Sequence, residues 1–430
     1  MKKKWNYTRA SVVIYWLIFL VLLGLFFTND FGLVDIHKTA IITAVGIDVA
    51  EEEVQVTAEV AVPQPSQNGE NIKYALVQGS GITIADALNE INAKTGFFPK
   101  LQFCRLILMG ESCREKELFG LLACFYRKDF SELTALVAAC EGKASDMLAL
   151  KSETSDMTSD AIRKILSDEI EKSANGTPMS LKDIAVTQYS KSAACYMPFV
   201  EVNEPGTSEN GGNGDNVGGE GGNQGESQDG SGSSQGGSSG SQSGSQGGEG
   251  GGSGGGSGSQ DKAMEFTARR TAIYSNGMFT GILDDQQSFA LAAIRNNIRL
   301  AVLQCDTKDV HYTLGLKNVN CGVDLKVNAG APELTLKFKA KARINGAKKR
   351  LVPEQIIFDD VVPEEVLSAA EAALEKRFND LFDTLKEKDC DLVGIREQLY
   401  KYENKYFDAF KDDILSRMQI KYEIEVNSAN

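Results

Sequence analysis

SVVIYWLIFLVLLGLFFTNDFGLVDIHKTAIITAVGID, residues 11–48, sets the plan of this chain. Its first seventeen residues carry no charge, and its end reads as a strand. A helix over 10–27 would rise roughly 27 Å, close to the ~30 Å hydrocarbon core of a bilayer. Lys2, Lys3, Lys4 and Arg9 precede the apolar run, and Asp30 and Asp35 follow it. Positive charge stays on the cytoplasmic side, so the pattern predicts a cytoplasmic N-terminus and an extracytoplasmic bulk. No small-x-small cleavage site follows the run, which favours an uncleaved signal anchor over a removed signal peptide.

The rest of the chain is globular in composition. It has 430 residues, of which 42% are hydrophobic and 24% charged, with a formal net charge of −14. That sign excludes a nucleic-acid binder, which needs a basic surface to neutralise phosphates.

Residues 204–260 break the pattern. They hold 24 of the 42 glycines, and Val217 is their one aliphatic hydrophobe. Glu204, Glu209, Asp215, Glu220, Glu226, Asp229 and Glu249 face no Lys or Arg in this run, so half of the net charge lies here. Such a segment buries too little apolar surface to offset chain entropy and is expected to be disordered. It either separates two domains or is inserted in a surface loop; long insertions cost little stability.

Before it, strands and helices alternate. Val54, Val56, Ala58, Val60 and Val62 recur at period two, giving a strand stopped by Pro63 and Pro65 and forming a hairpin with 40–47. Thr83 can cap a helix whose Ile84, Ala87, Leu88 and Ile91 share one face. Residues 103–109 and 133–140 read as buried strands, 115–126, 145–150 and 159–172 as helices, and 182–186 and 193–202 as extended. After it, 267–274 and 278–283 flank Asn276-Gly277, a type I′ hairpin signal. Asp284 or Asp285 can cap a helix carrying Phe289, Leu291 and Ile294. Leu334, Leu336, Phe338, Ala340, Ala342 and Ile344 alternate with Thr335, Lys337, Lys339, Lys341 and Arg343: a strand with one apolar and one cationic face. That Lys row reads first as a solvated face, and second as a contact for an acidic partner or lipid head groups. Pro363, Glu364 and Glu365 open a helix with Val366, Ala370, Leu374, Phe378, Leu381 and Leu385 on one side. A second helix is expected over 392–410, and Ile420, Tyr422, Ile424 and Val426 form a last strand that returns to the sheet.

No catalytic set assembles from these residues. The two histidines are His37 and His311. None of the eight cysteines forms a C-x-x-C pair, and zinc, calcium, P-loop and dinucleotide patterns are absent from ordered contexts. Asp284-Asp285, Asp359-Asp360 and Asp412-Asp413 sit where capping or solvation explains them. We therefore assign no catalytic, cofactor-binding or metal-binding residue, and read the chain as non-enzymatic.

The order of several segments resembles the Ger(x)C family, the C subunits of spore germinant receptors. The extended stretch 31–48 ends in Gly46-Ile47-Asp48. VQVTAEVAVPQPS, GSGITIADALNEI, KLQFCRLILMGE and ELTALVAACEGKASDML follow in the family's order. RRTAIYSNGMFTGILDDQQSFAL and PELTLKFKAKARI continue it beyond the insertion. The resemblance implies α/β domains and a non-enzymatic, membrane-tethered subunit. Its implied partners are the bilayer, a transporter-like subunit and another integral subunit, and no nucleic acid. The implied location is the spore inner membrane or cell membrane, as a single-pass protein serving nutrient-triggered germination. Two features depart from the family: no lipobox Cys follows the apolar run, and the Gly/Ser insertion is extra.

The expected plan is thus α+β or α/β. A basic tail (1–9) and a transmembrane helix (10–27) precede mixed-sheet domains flanked by helices, at 31–203 and 262–426 on either side of 204–260. The alternatives are a membrane-anchored extracytoplasmic enzyme and a cell-surface scaffold.

Overall fold

The computed structural model describes residues 2–28, 39–66, 69–96, 98–127, 132–152, 155, 157–167, 177–203, 264–328, 330–349 and 361–429. Expectations for 31–38, His37 included, for 204–260 and for Asp359-Asp360 lie outside these.

The N-terminal segment corrects the sequence reading. It is helical, α1 over Lys2–Thr28, but among the described residues no helix is long and apolar enough to cross a membrane. The transmembrane anchor at 10–27 does not stand, nor does the single-pass topology derived from it.

The body carries two sheets. The larger one runs β3 (Gly69–Gly81), β2 (Glu53–Ser66), β1 (Thr39–Ala50), β5 (Leu106–Met109), β6 (Leu136–Cys140), β7 (Ala194–Asn203), β8 (Glu265–Ser275), β9 (Met278–Leu283), with β4 (Phe98–Lys100) also paired to β1. Its centre, β1-β5-β6-β7, is parallel; the wings on both sides are antiparallel. The central strands are continuous apolar runs because both faces are covered. Leu106 and Leu108 pack beneath α4 (Ala144–Ala149) and α5 (Thr158–Leu166), while Ile107 and Met109 join the larger core on the opposite face.

Local chemistry sets the helices on that larger core. Thr83 and Asp86 form a capping box at α2 (Ile84–Thr95), whose Ile84, Ala87, Leu88 and Ile91 are buried as the spacing predicts. Residues 182–186, expected as extended, belong instead to a helix, α6 (Leu181–Gln188). Its signal is a second capping box, Ser180 with Asp183; the short α3 (Leu118–Leu122) lies earlier, before α4. The expected strand at 103–109 begins only at Leu106, and Phe103 is exposed. Residues 115–126 break into α3 and flanking 3₁₀ turns. β2 continues past Pro63 and Pro65: its pairing with β1 ends at Ile41↔Ala61, so beyond Ala61 it is bonded only to β3, where a missing N–H is tolerated.

The second sheet is β10 (Leu300–Asp306), β11 (Val310–Asn328), β12 (Ala331–Lys349), β13 (Gln419–Ser428). The final strand returns parallel to β12, Leu334 opposite Ile420 and Val426 opposite Ala340. The helix α8 (Glu364–Glu387) lays Val366, Ala370, Leu374, Phe378, Leu381 and Leu385 on this sheet, with Phe378 5.7 Å from Phe338 and 6.4 Å from Tyr422, ring to ring. After it the expected helix over 392–410 is broken into α9 (Ile395–Tyr402), a 3₁₀ turn and α10 (Phe407–Phe410).

Between the sheets lies α7 (Asp285–Ile294), capped by Asp284. Every residue from Ser288 to Ile294 is buried, as for a helix covered on all sides. One continuous apolar core runs from β1 through α7 to α8 and β13.

β7 and β8 are neighbours in the large sheet, paired from Ala194↔Ser275 to Asn203↔Glu265. The Gly/Ser-rich run therefore interrupts a hairpin connection. Replacing 204–260 by a five-residue Gly/Ser turn should preserve the fold and raise stability by about 2 kcal/mol, the closure entropy recovered. Urea denaturation of both chains checks this; a loss of stability would mean that the insertion itself holds the fold.

Candidate functional site

The residues weighed for chemistry do not converge. His311 Nδ1 lies 2.8 Å from Asp306 on an exposed rung of β10–β11. Asp284 caps α7; Asp285 beside it is exposed, and partial desolvation raises its carboxyl from the ordinary value. Asp413 pairs with Arg417 at 2.7 Å. Among the described residues no group of three or more His, Cys, Asp or Glu could hold a metal ion.

All eight cysteines are free thiols, seven of them buried. Burial pushes Cys104, Cys113, Cys195 and Cys321 up to about 12 and Cys305 to about 11. Cys140 and Cys390 move the same way, and the half-buried Cys124 is also raised, by burial. Thiols so rarely ionised and so covered are small hydrophobes, not nucleophiles.

The cationic row of β12 is half neutralised. Lys337 lies 3.7 Å from Glu423 and Lys339 2.8 Å from Glu425, across the parallel rungs to β13. Such exposed pairs contribute little. Lys341 sits opposite Lys317, and no ion pair joins Lys341 or Arg343 to a described residue. This is a solvated face with a basic end.

Two buried carboxylates organise the loops instead. Asp48, 4% exposed at the end of β1, accepts from Ala144 N at 2.9 Å through Oδ1 and from Ser145 N at 3.0 Å through Oδ2. It caps α4 from 96 residues away, at the helix end where negative charge is favoured. Gly110, after β5, passes so close that a Cβ there would collide with Asp48 Oδ1 and reach 3.0 Å from Ala144 N. Gly110 N donates to Ile47 O at 2.9 Å, Glu111 N to Gly142 O at 2.7 Å and Val49 N to Ser112 Oγ at 2.8 Å. The sequence segments Gly46-Ile47-Asp48, Gly110-Glu111 and 142–145 thus meet at one junction.

The other is Asp391, 1% exposed. Its Oδ1 accepts from Gly394 N and Ile395 N, and its Oδ2 from Arg396 N and from Ser192 Oγ at 2.6 Å. It caps α9 and at the same time binds the turn before β7. Lys191 N reinforces this by donating to Glu397 at 2.8 Å. Nothing in the sequence singled out Asp391.

A cleft of about 460 Å³ opens between α5 and the ends of β1, β2 and β3. Ile41, Leu106 and Tyr74 line it, together with Thr43, Ser159 and Arg105. Behind the wall Glu59, 3% exposed, accepts from Thr43 Oγ1 at 2.8 Å and Ser159 Oγ at 2.5 Å, both on Oε1. Arg163 is held by Asp160 at 2.8 Å, whereas Arg105 forms no ion pair among the described residues. No sequence signal marked this cluster: Glu59 occupies the polar phase of β2, and that face is buried by α4 and by Ser159 at the start of α5.

Comparisons with known proteins agree with this architecture. Residues 33–202 match the family described as spore germination protein N-terminal domain, and residues 269–429 match spore germination B3/GerAC-like, C-terminal. A solved structure titled as that of the GerBC protein aligns with a TM-score of 0.50 at 14% identity, covering 92% of this chain and all of that one. At that identity the likeness speaks for the fold. No curated protein sequence matches the chain.

Two outcomes follow from the geometry. Asp48→Ala strips two buried N–H groups of their acceptor and should cost about 2–4 kcal/mol, with hydrogen exchange at 144–148 accelerating. Asp48→Asn, which keeps one acceptor, should cost less; equal stability of all three chains would remove the junction from the account. In native buffer at pH 8, an alkylating reagent should modify Cys124 first and leave the other seven thiols unmodified until denaturant is added, as mass spectrometry of the peptides would read.

Proposed function

This chain belongs to the spore germination GerAC-like family, and from that membership we propose that it serves as a non-catalytic subunit of a spore germinant receptor, supporting assembly or signalling in nutrient-triggered germination. The observation that carries the reading is the order of the two family regions, 33–202 and 269–429, which fall on either side of the Gly/Ser-rich insertion. In this reading 31–203 and 262–426 are the two parts of the subunit's body and 204–260 is an addition to a hairpin. Its partners are a transporter-like membrane subunit and a second integral subunit. The basic end of the β12 face, Lys317, Lys341 and Arg343, offers one surface for acidic residues of such a partner.

The architecture supports a role in binding rather than in turnover. Its buried carboxylates are spent on helix caps and hydroxyls, and seven of its eight thiols are covered. Among the described residues the enzyme alternative has no residue set to stand on, and family membership argues against it.

Deleting the gene in a spore former that lacks redundant receptors tests the proposal. The expected outcome is loss of germination on at least one nutrient, restored by the wild-type chain, and co-purification of a multi-span subunit with a tagged copy. Spores that respond normally to every nutrient, with no such subunit recovered, would overturn it.

A further inference from the structure

The cleft over β1, β2 and β3 is shaped for a ligand that nothing above assigns. Its volume of about 460 Å³ lies in the range of small-molecule sites, roughly 300–1,000 Å³. Six of its eleven lining residues are apolar or aromatic; the polar ones are Thr43, Ser159, Arg105 and the pair Asp160–Arg163, in which the Asp160 carboxylate is matched by Arg163 and Lys164.

The polarity of Thr43 and Ser159 is set by Glu59. Ser159 Oγ and Thr43 Oγ1 both donate to Glu59 Oε1, at 2.5 and 2.8 Å. A hydroxyl has one hydrogen to give. With it committed to the buried carboxylate, Thr43 and Ser159 present only lone pairs to the cleft they line. A ligand group there must be a donor, O–H or N–H. Arg105 supplies the opposite requirement. It lines the same cleft, is exposed, and has no ion-pair partner among the described residues. Its neighbour Arg163 is already taken by Asp160. Among the described residues its guanidinium is the cation of the cleft without an acidic partner, and a planar fork of donors suits a carboxylate. Leu106, Ile41 and the ring of Tyr74 leave an apolar body as the remaining demand.

We infer that this cleft binds a small organic carboxylate with an apolar body and a hydrogen-bond donor, with Arg105 holding the carboxylate and Thr43 and Ser159 accepting from the donor. The inference rests on the cleft alone and does not depend on the receptor role.

Ligand-observed NMR titration of the full chain with para-hydroxyphenylacetate tests it. That probe carries all three features and should bind saturably in the millimolar range or tighter, on the order expected for so few atoms. Phenylacetate, without the donor, and para-hydroxyphenylacetamide, without the charge, should each bind several-fold more weakly. Arg105→Gln should weaken the probe about tenfold or more, the size of a lost charge-assisted contact. It changes an exposed side chain and should melt as wild type. Ala61→Phe, which fills the cleft from β2, should abolish binding. Absence of saturable binding, equal affinity for phenylacetate, or an Arg105→Gln chain that binds as wild type would each overturn the proposal.

Discussion

The capping of α4 by Asp48 is the contact on which the parallel centre of the large sheet depends. Three parallel strands, β1, β5 and β6, end at the same level, and each must release its chain into a loop. Asp48 closes the first, Gly110 begins the second, and the helix start at 144–145 closes the third. In an open sheet with parallel strands, the crevice beyond the strands' carboxyl ends is where anionic ligands commonly settle on helix N-termini. Here the protein's own carboxylate occupies that place. A carboxylate so buried is tolerable only because two backbone N–H groups meet it. Gly110 is required on the same ground: any side chain would push Asp48 off the helix. The natural ligand position of the fold is thus used up by structure.

The second half of the body is tied to the first by similar means. α7 is buried on every side, so it cannot separate from either sheet without exposing Phe289, Leu291 and Ile294 together. Full burial of such side chains is worth about 1.5–3 kcal/mol each, an upper estimate. Asp391 adds direction to this apolar contact by capping α9 and binding Ser192 with the same carboxylate. Because β7 and β8 pair along their whole length across the insertion point, the strands on either side of 204–260 hold each other without it. That is why a run with so little apolar content can be accommodated at a hairpin.

The sequence was most legible where one face of an element meets solvent. The alternation of 334–344, the stripe of α8, the caps at Thr83 and Asp284 and the Asn276-Gly277 turn all appear as read, with φ of 50° and 76° at that turn. It was least legible where tertiary cover decides. Residues 182–186 have strand-like composition, yet the Ser180–Asp183 box starts a helix. Pro63 and Pro65 interrupt nothing because β2 is an edge toward β1 beyond Ala61. The apolar run at the N-terminus suggested a membrane span that the described helix does not supply. Family-matching residues did point to a real junction, but as pieces of a motif; only the fold shows that Asp48, Gly110 and Ala144 touch.

Glu59 and Asp48 make the sharpest contrast. Both are buried carboxylates placed in β1–β2 by the same hairpin. Asp48 spends both oxygens on backbone N–H groups and is closed to anything else. Glu59 spends one oxygen on two hydroxyls, and those hydroxyls line open space. A carboxylate satisfied by backbone fixes a fold. One satisfied by hydroxyls fixes their orientation instead, turning two flexible rotors into directed acceptors at the cost of no bulk in the cleft. Pre-orientation of this kind lowers the ordering cost of binding. The molecule has therefore closed the crevice that its parallel strands would offer and has left a different, polarised one on the same face of the sheet, beneath α5 rather than at the N-terminus of α4.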